Sequence, residues 1–473
     1  MPFDQPPAPA AAVAPATPPR DTALVIDGAT VIDVESGNRL TGARVVIRQR
    51  RIVDVGPAAR VAMPTDALRI DGRGGFLIPG LWDMHVHSAY AGLGNLLLPL
   101  YIANGVTGVR EMFGQLFAMK AYRAQIDTGA LIGPRIVGSG HILDGPKPIW
   151  PGSVTARTPE QGMRAVDSLK AAGADFIKVY SVLPPDVYRA IATRAKAVGI
   201  PFAGHIPGGV NAMEASALGQ HSAEHLTGIP LSCSRDEVAI RRMRDSVKAD
   251  TDYPAAQALG RALGSRVIDT FDAEKCAAIY REFVANRTWQ VPTMTVNYSI
   301  SHLDQMTATD PRLAYIPKFL VQGWDPKTDF RLKALTPADW ENSRKTWALN
   351  QRILREMVQA GVPILAGTDV LNPFCMPGFS LHDELRYLVE AGMTPLQALQ
   401  AATVNPARFL AATDSLGTIA RGKVADLVLL DADPLVEIGN TTKIRAVIAG
   451  GRAYDRTRLD AILAEAKARN AGN

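Results

Sequence analysis

FLIPGLWDMHVHS, residues 76–88, is the stretch on which the reading of the fold turns. An apolar run, punctuated by Pro79 and Gly80, ends in two histidines separated by one residue. Successive side chains of a strand alternate faces, so His85 and His87 point to the same side. Two neutral imidazoles aimed at one point make half of a metal site. The plainer alternative is a pair of surface histidines beside a loop.

Outward from this strand, seven further candidates recur: VTGVREMF (106–113), PRIVGSGH (134–141), FIKVY (176–180), PFAGHI (201–206), SAEHL (222–226), WQVPTMTV (289–296) and PILAGTD (363–369). Amphipathic helices such as PEQGMRAVDSLKAAG (159–173) and PPDVYRAIATRAKAVG (184–199) lie between them and run into glycine, a helix stop. Short apolar strands alternating with helices predict βαβ units and a parallel sheet. Eight of them is the count of an α/β (β/α)8 TIM barrel, which takes ~250 residues of the chain. Both chain ends are β-rich instead. ALVIDGATVIDVESG (23–37) and ARVVIRQRRIVDVGP (43–57) are answered by GKVADLVLLDADP (422–434) and IRAVIAGGRAYD (444–455). The expected organisation is a Pro/Ala-rich, disordered leader (1–21), a small discontinuous β-sandwich domain (22–76 and 414–455), a barrel (77–413) and a C-terminal helix or tail (456–473). Two overlong linkers, 230–288 and 297–345, predict helical insertions reaching over the barrel mouth.

Composition limits the function classes. Of 473 residues, 47% are hydrophobic and 21% charged, the balance of a globular protein. The net charge of +5 (51 basic against 46 acidic) is spread along the chain, so nucleic-acid binding is not expected. The three cysteines are distant from one another, which argues against a disulfide framework and against thiolate zinc. No apolar run approaches ~20 residues, so no membrane span is expected. The leader carries no basic n-region. Compartment stays open: cytoplasmic as written, periplasmic or secreted if the leader stands in for a removed signal.

In a barrel, chemistry sits at the C-terminal ends of the strands. His205 and His225 end the fifth and sixth strands, Asp369 ends the eighth, and Lys178 lies late in the fourth. Asp369 there suits metal binding and the general-base role; a helix cap is the bland reading. Lys178 shares a strand face with Phe176 and Tyr180. Beside cations its ammonium would be disfavoured, whereas a carbamate formed with CO2 would supply a bridging anion; the alternative is a lysine snorkelling at the strand end. His221 and His302 are expected bystanders. His141 and His382 are candidates for facing substrate, His382 with a helix-capping role as its alternative.

The set LIPGLWDMHVHS, FIKVY, FAGHIPGG, AEHLTG and LAGTDV, followed by LHDELRYLVEAGMTPLQALQAATVNPARFL and GTIARGKVADLVLLDADP, resembles the amidohydrolase superfamily. More narrowly, the chain is similar to the Xaa-Pro dipeptidase, ochratoxinase and imidazolonepropionase-like relatives, from about Leu24 to Arg452. The resemblance implies two divalent ions, commonly zinc, with His85, His87 and Asp369 on one, His205 and His225 on the other, and carboxylated Lys178 between. It also implies a homo-oligomer. One departure is EHLTGIPLSC after the sixth strand, where related dipeptidases tend to carry Gly and sometimes Tyr after the histidine.

The implied reaction is hydrolysis of an amide C–N bond by a metal-bridging hydroxide, with Asp369 moving the proton to the leaving amine. The expected substrate is an N-acyl amino acid or dipeptide with a bulky apolar group. Ile149, Trp150, Met294, Tyr298, Phe374 and Phe379 are its expected walls, or else they pack the insertions onto the barrel. Tyr180 and Trp150, with His141 and His382, are the substrate-binding set, and Lys147 is placed to meet a carboxylate. The alternatives are a cyclic amide or lactone hydrolase and an imidazolonepropionase-like deaminase or ring-opening enzyme. The deaminases usually carry Glu after the fifth-strand His, where this chain has IPGG. A relative without metals and without activity is a further alternative.

Overall fold

The computed structural model describes residues 22–245, 253–329 and 331–471; the expected disordered leader lies outside them. Parallel strands run through the middle of the chain. Leu81–Val86 pairs with Val106–Glu111, which pairs with Arg135–Gly138. A second series joins Ile142–Asp144, Ile177–Val179, Phe202–Gly204, Ser222–Glu224 and Trp289–Val291 side by side. Isolated backbone bonds continue the series at its breaks. Asp175 N donates to Gly138 O, Leu365 N to Gln290 O, Met84 N to Ala366 O and Asp369 N to His85 O.

The helices between strands form where the sequence places caps and apolar spacing. Pro159–Ala171 starts on Thr158, whose hydroxyl accepts from Gln161 N, and buries Ala165, Val166 and Leu169 on one stripe. Pro185–Val198 buries Val187, Tyr188, Ile191, Ala192 and Ala195 and stops at Gly199 in the left-handed conformation.

The two chain ends enter a single eight-stranded sheet rather than two facing sheets. The reason is that Phe76–Pro79 pairs on one side with Leu24–Ile32 and on the other with Leu427–Leu430. Alternation then divides the side chains. Leu427, Leu429 and Ile448 join a core belonging to this sheet, and Val428, Leu430 and Val447 turn to the main core. Arg456–Ala471 is helical, as expected for the C-terminal segment.

Three local expectations are corrected. Residues 363–369 form no regular strand; they are held by isolated bridges at Ile364 and Val370 and by Thr368, which bonds to Asp83. WQVPTMTV is strand only over Trp289–Val291, after which Met294–His302 is helix. Both insertions are helical, but only the second, which includes the long helix Pro337–Gln359, supplies walls to the central cavity. The first carries a disulfide between Cys233 and Cys276. Sequence distance hid it, because the two cysteines meet only when Ala273–Asn286 folds back beside the turn after Ile229–Ser232.

Loop closure over a separation of 43 residues is worth roughly 4 kcal/mol in chain-entropy terms. Unfolding in urea should therefore move to lower denaturant when a reductant is added, or when both cysteines are Ser. An unchanged midpoint would remove the bond from the stability of the fold. Among the described residues, no helix is long and apolar enough to cross a membrane.

Candidate metal centre and active-site cavity

The polar residues at the C-terminal ends of the parallel strands converge on one carboxylate. Asp369 Oδ1 lies 2.9 Å from His87 Nε2 and 3.3 Å from His85 Nε2, and Asp369 Oδ2 lies 3.7 Å from His225 Nδ1. The His225 ring centroid is 4.4 Å from that of His85 and 4.9 Å from that of His205. Four of the eight histidines of the chain thus share one floor. Ligand atoms of His85, His225 and Asp369 fall within 4.8 Å of one another, a candidate metal site.

The electrostatics suit a cation. Burial, then the charge of Lys178, pushes His85 and His205 well below the usual imidazole range, and burial takes His225 to about 4. All three are neutral near pH 7, the form that binds metal. Burial works to raise Asp369, yet His225, His87 and Lys178 hold its carboxylate below the ordinary value. Lys178 is pushed down to about 8 by burial, with Glu224 and Asp369 pulling the other way. Its Nζ and His85 Nε2 are buried without a hydrogen-bond partner. Each such orphan costs ~1–3 kcal/mol, so their clustering round a carboxylate fits a site whose bound group satisfies them. Nitrogen and oxygen donors of this kind suit zinc and similar divalent ions.

Each of three histidines has one ring nitrogen tied back to the protein. His205 Nδ1 meets Ser181 Oγ at 2.7 Å, His225 Nδ1 meets Thr293 Oγ1 at 2.7 Å, and His85 Nδ1 meets Glu224 Oε2 at 2.8 Å. Such partners fix ring orientation and tautomer. Glu224 is itself gripped by Arg110 Nη2 at 2.8 and 2.9 Å, in a fully buried pair. His225, Thr293 and Asp369 all have left-handed backbones, with φ of 59°, 45° and 61°. Non-glycine residues held there store about 1–3 kcal/mol each, a pattern that clusters at functional sites.

A sequence model of the amidohydrolase family matches residues 322–454, the span that holds Asp369. The imidazolonepropionase of Thermoplasma volcanium is 33% identical over 110 residues, 22% of this chain and 26% of that protein. The chain therefore spans about a quarter of the length of the curated relative it matches. Solved structures align across nearly the whole fold. A Xaa-Pro dipeptidase aligns with a TM-score of 0.66 at 21% identity, over 92% of this chain and 100% of the other. A bottromycin amidohydrolase aligns with a TM-score of 0.74 at 22% identity, over 96% and 91%. Residues 322–454 thus match the amidohydrolase family, and the solved structures share the fold.

Above the floor lies a cavity of about 840 Å³. Trp150 and Tyr180 line it, joined by a 2.8 Å bond from Trp150 Nε1 to Tyr180 Oη. Tyr180 also packs on His205 with centroids 3.9 Å apart. Other large walls include Tyr90, Phe113, Phe319, Trp324 and Trp347. Of the apolar walls expected, only Trp150 is among them. Phe374 packs on Trp324, Phe379 stacks on Tyr315, and Tyr298 sits against His302, Trp347 and Tyr387, so these rings hold the insertion in place.

Two expected substrate-facing histidines are not brought to the cavity. After Gly140 turns the chain at φ 74°, His141 gives its Nδ1 to Gly152 O at 2.9 Å. His382 is buried, with Nδ1 on Thr441 Oγ1 at 2.9 Å and Nε2 on Asn104 O at 3.1 Å; it fastens the helix Phe379–Glu390 to its neighbours. Lys147 is exposed and is not among the lining residues. His221 bonds to Phe409 O and His302 to Tyr298 O, both outside the metal cluster.

Sequence reasoning missed Glu224, Arg110 and Arg331. Charged residues inside the short apolar strands SAEHL and VTGVREMF were the available signal for the first two. Arg331 stands in an irregular stretch and gave none. Glu224→Gln keeps the shape but removes the charge facing Arg110 and His85. Metal affinity should fall ~10–100-fold in a competitive chelator titration, with a lower Tm from the uncompensated buried charge of Arg110. Unchanged affinity would make Glu224 a purely structural partner of Arg110.

Proposed function

We propose that this protein is a metal-dependent hydrolase cleaving the amide C–N bond of a small molecule, on N-acyl amino acids or dipeptides with a bulky apolar group. The observation that carries the reading is the convergence of His85, His87, His205, His225, Asp369 and unpartnered Lys178 under an aromatic cavity. We read the parallel series as a (β/α)8 barrel over residues 77–413, with the sheet from 22–76 and 414–455 as a second domain. Strand ends of one barrel face would bring all six residues together.

In this reading His85, His87 and Asp369 hold one ion, His205 and His225 the other, and Lys178 lies between them. Zinc suits the donor set. Two bound ions would polarise the carbonyl and make water nucleophilic at neutral pH. The protein's own residues do the rest. Burial leaves part of Lys178 as the neutral amine, the form that adds CO2, losing a proton to become a carbamate anion. That exchange replaces an ammonium, which cations repel, with a ligand. Asp369 takes the proton of the attacking water and returns it to the leaving amine. Trp150 and Tyr180 press the apolar part of the substrate against the His205 side of the floor and keep bulk water from it.

Metal analysis of the purified protein, together with a hydrolysis screen over N-acyl amino acids, dipeptides, cyclic amides and lactones, tests the proposal. About two divalent ions per chain and turnover of acyl amino acids or dipeptides support it. The likeness to imidazolonepropionase favours ring opening as a second reading. Cyclic amides or lactones turning over a hundredfold faster than every linear amide would select that one. A chain that binds no metal would set aside both.

A further inference from the structure

We propose that Arg331 is the residue that recognises a free carboxylate on the substrate, so that the enzyme selects amides carrying an anion beside the scissile bond. This rests on the amide-hydrolase reading above and deepens it. The cavity wall contains two basic side chains, Lys178 on the floor and Arg331 above it. Lys178 is committed to the metal cluster in that reading. Arg331 is then the fixed cation that an entering molecule meets in an otherwise aromatic and polar chamber.

Its placement is built rather than incidental. Asp329 grips the guanidinium with two bonds, Oδ1 to Nε at 3.0 Å and Oδ2 to Nη2 at 2.7 Å. Nη1 donates to Asn372 Oδ1 at 2.7 Å, and the Nδ2 of that asparagine donates to the backbone oxygen of Asp369 at 2.9 Å. The guanidinium is therefore tied to the loop bearing the carboxylate proposed as the general base. Asp369 and Tyr180 both feel its charge. One face of the group lies over Trp150, 5.5 Å from the ring centroid, and Trp150 is bonded to Tyr180 on the fourth strand.

A planar donor held in one orientation loses less freedom on binding a carboxylate than a mobile lysine. A cation on an aromatic face is also favourable in a partly dry chamber. The arrangement fits an acyl amino acid whose apolar side chain rests near Trp150 and whose carboxylate reaches Arg331. The carbonyl then lies over the histidine cluster. Exposed Lys147 has no such geometry.

The test compares matched substrates with the free carboxylate and with the same carboxylate capped as a primary amide. Arg331→Met should raise KM for the free acid at least tenfold. It should change kcat/KM for the capped amide less than threefold, so that the preference for the acid collapses. Arg331→Lys should keep part of the preference, because charge remains while the two-pronged geometry is lost; it also serves if the methionine variant proves too unstable to purify. Equal losses on both substrates would overturn the proposal and leave Arg331 as a brace for the loop after Asp369. If wild type cleaved neither linear substrate but opened cyclic amides, the amide-hydrolase reading would fall instead. Wild type preferring the acid with Arg331→Met preserving that preference would sink only the role of Arg331.

Discussion

Asp369→Asn is expected to abolish nearly all turnover while leaving the fold intact. Asparagine has almost the same shape and can still sit beside the imidazoles that surround the carboxylate, with His87 Nε2 2.9 Å away. It cannot accept the proton of an attacking water. General-base catalysis of this kind contributes ~10²–10⁴. Asn also removes the carboxylate charge that His85, His87 and His225 share. Loss of that ligand charge weakens cation binding, so the fall in kcat should exceed the base term alone when metal is limiting. The measurement is kcat and metal content side by side, at stoichiometric and at saturating metal. A variant with full metal and wild-type kcat would assign the proton transfer to another group, and Asp369 would be a ligand alone.

Lys178→Ala should cost activity on a similar scale, with a diagnostic recovery. If a carbamate on Lys178 supplies the bridging charge, alanine leaves a space at the fourth strand that a small carboxylic acid can enter. Formate, acetate or propionate at high concentration should then restore part of the rate. A second variant separates this role from packing. Nζ is fully buried and has no hydrogen-bond partner, so the metal-free protein bears an unsatisfied group there. Lys178→Met, of similar length and apolar, should raise the Tm of the metal-free protein while remaining inactive. Replacing a buried unpaired polar group by an apolar one of similar shape is neutral or stabilising. A Lys178→Ala enzyme with full activity would defeat the bridging role. A Lys178→Met protein that is less stable without metal would mean that Nζ has a structural partner after all.

Much of the candidate site was legible because its residues sit on short strands. A period of two puts His85 and His87 on one side whatever the rest of the chain does, and both reach Asp369 in the structure. Lys178, His205 and His225 belong to equally short apolar strands, where a polar residue near the C-terminal end has few places to go. Trp150 and Tyr180 line the cavity, and their bond to each other was not foreseen. His141 and His382 share the residue type but not the outcome. One is held by Gly152 O, and the other is captured by Thr441 and Asn104. Gly152 lies 11 residues from His141, and Thr441 and Asn104 lie 59 and 278 from His382, so no local pattern separated these histidines from the ligands.

By itself, then, the sequence determined most of the strands and helices, which side of the first strand carries its two imidazoles, and that both chain ends are β-rich. Those properties follow from residue spacing, which acts over a few positions. Tertiary structure alone decided the rest: that the two ends form one sheet, that residues 363–369 are held without a regular strand, that Cys233 meets Cys276, and that Arg331 faces the floor. Each of these depends on contacts between residues far apart in the chain. Such contacts form only where closure of the whole fold repays the entropy of ordering the loops between them, and spacing carries no record of that balance.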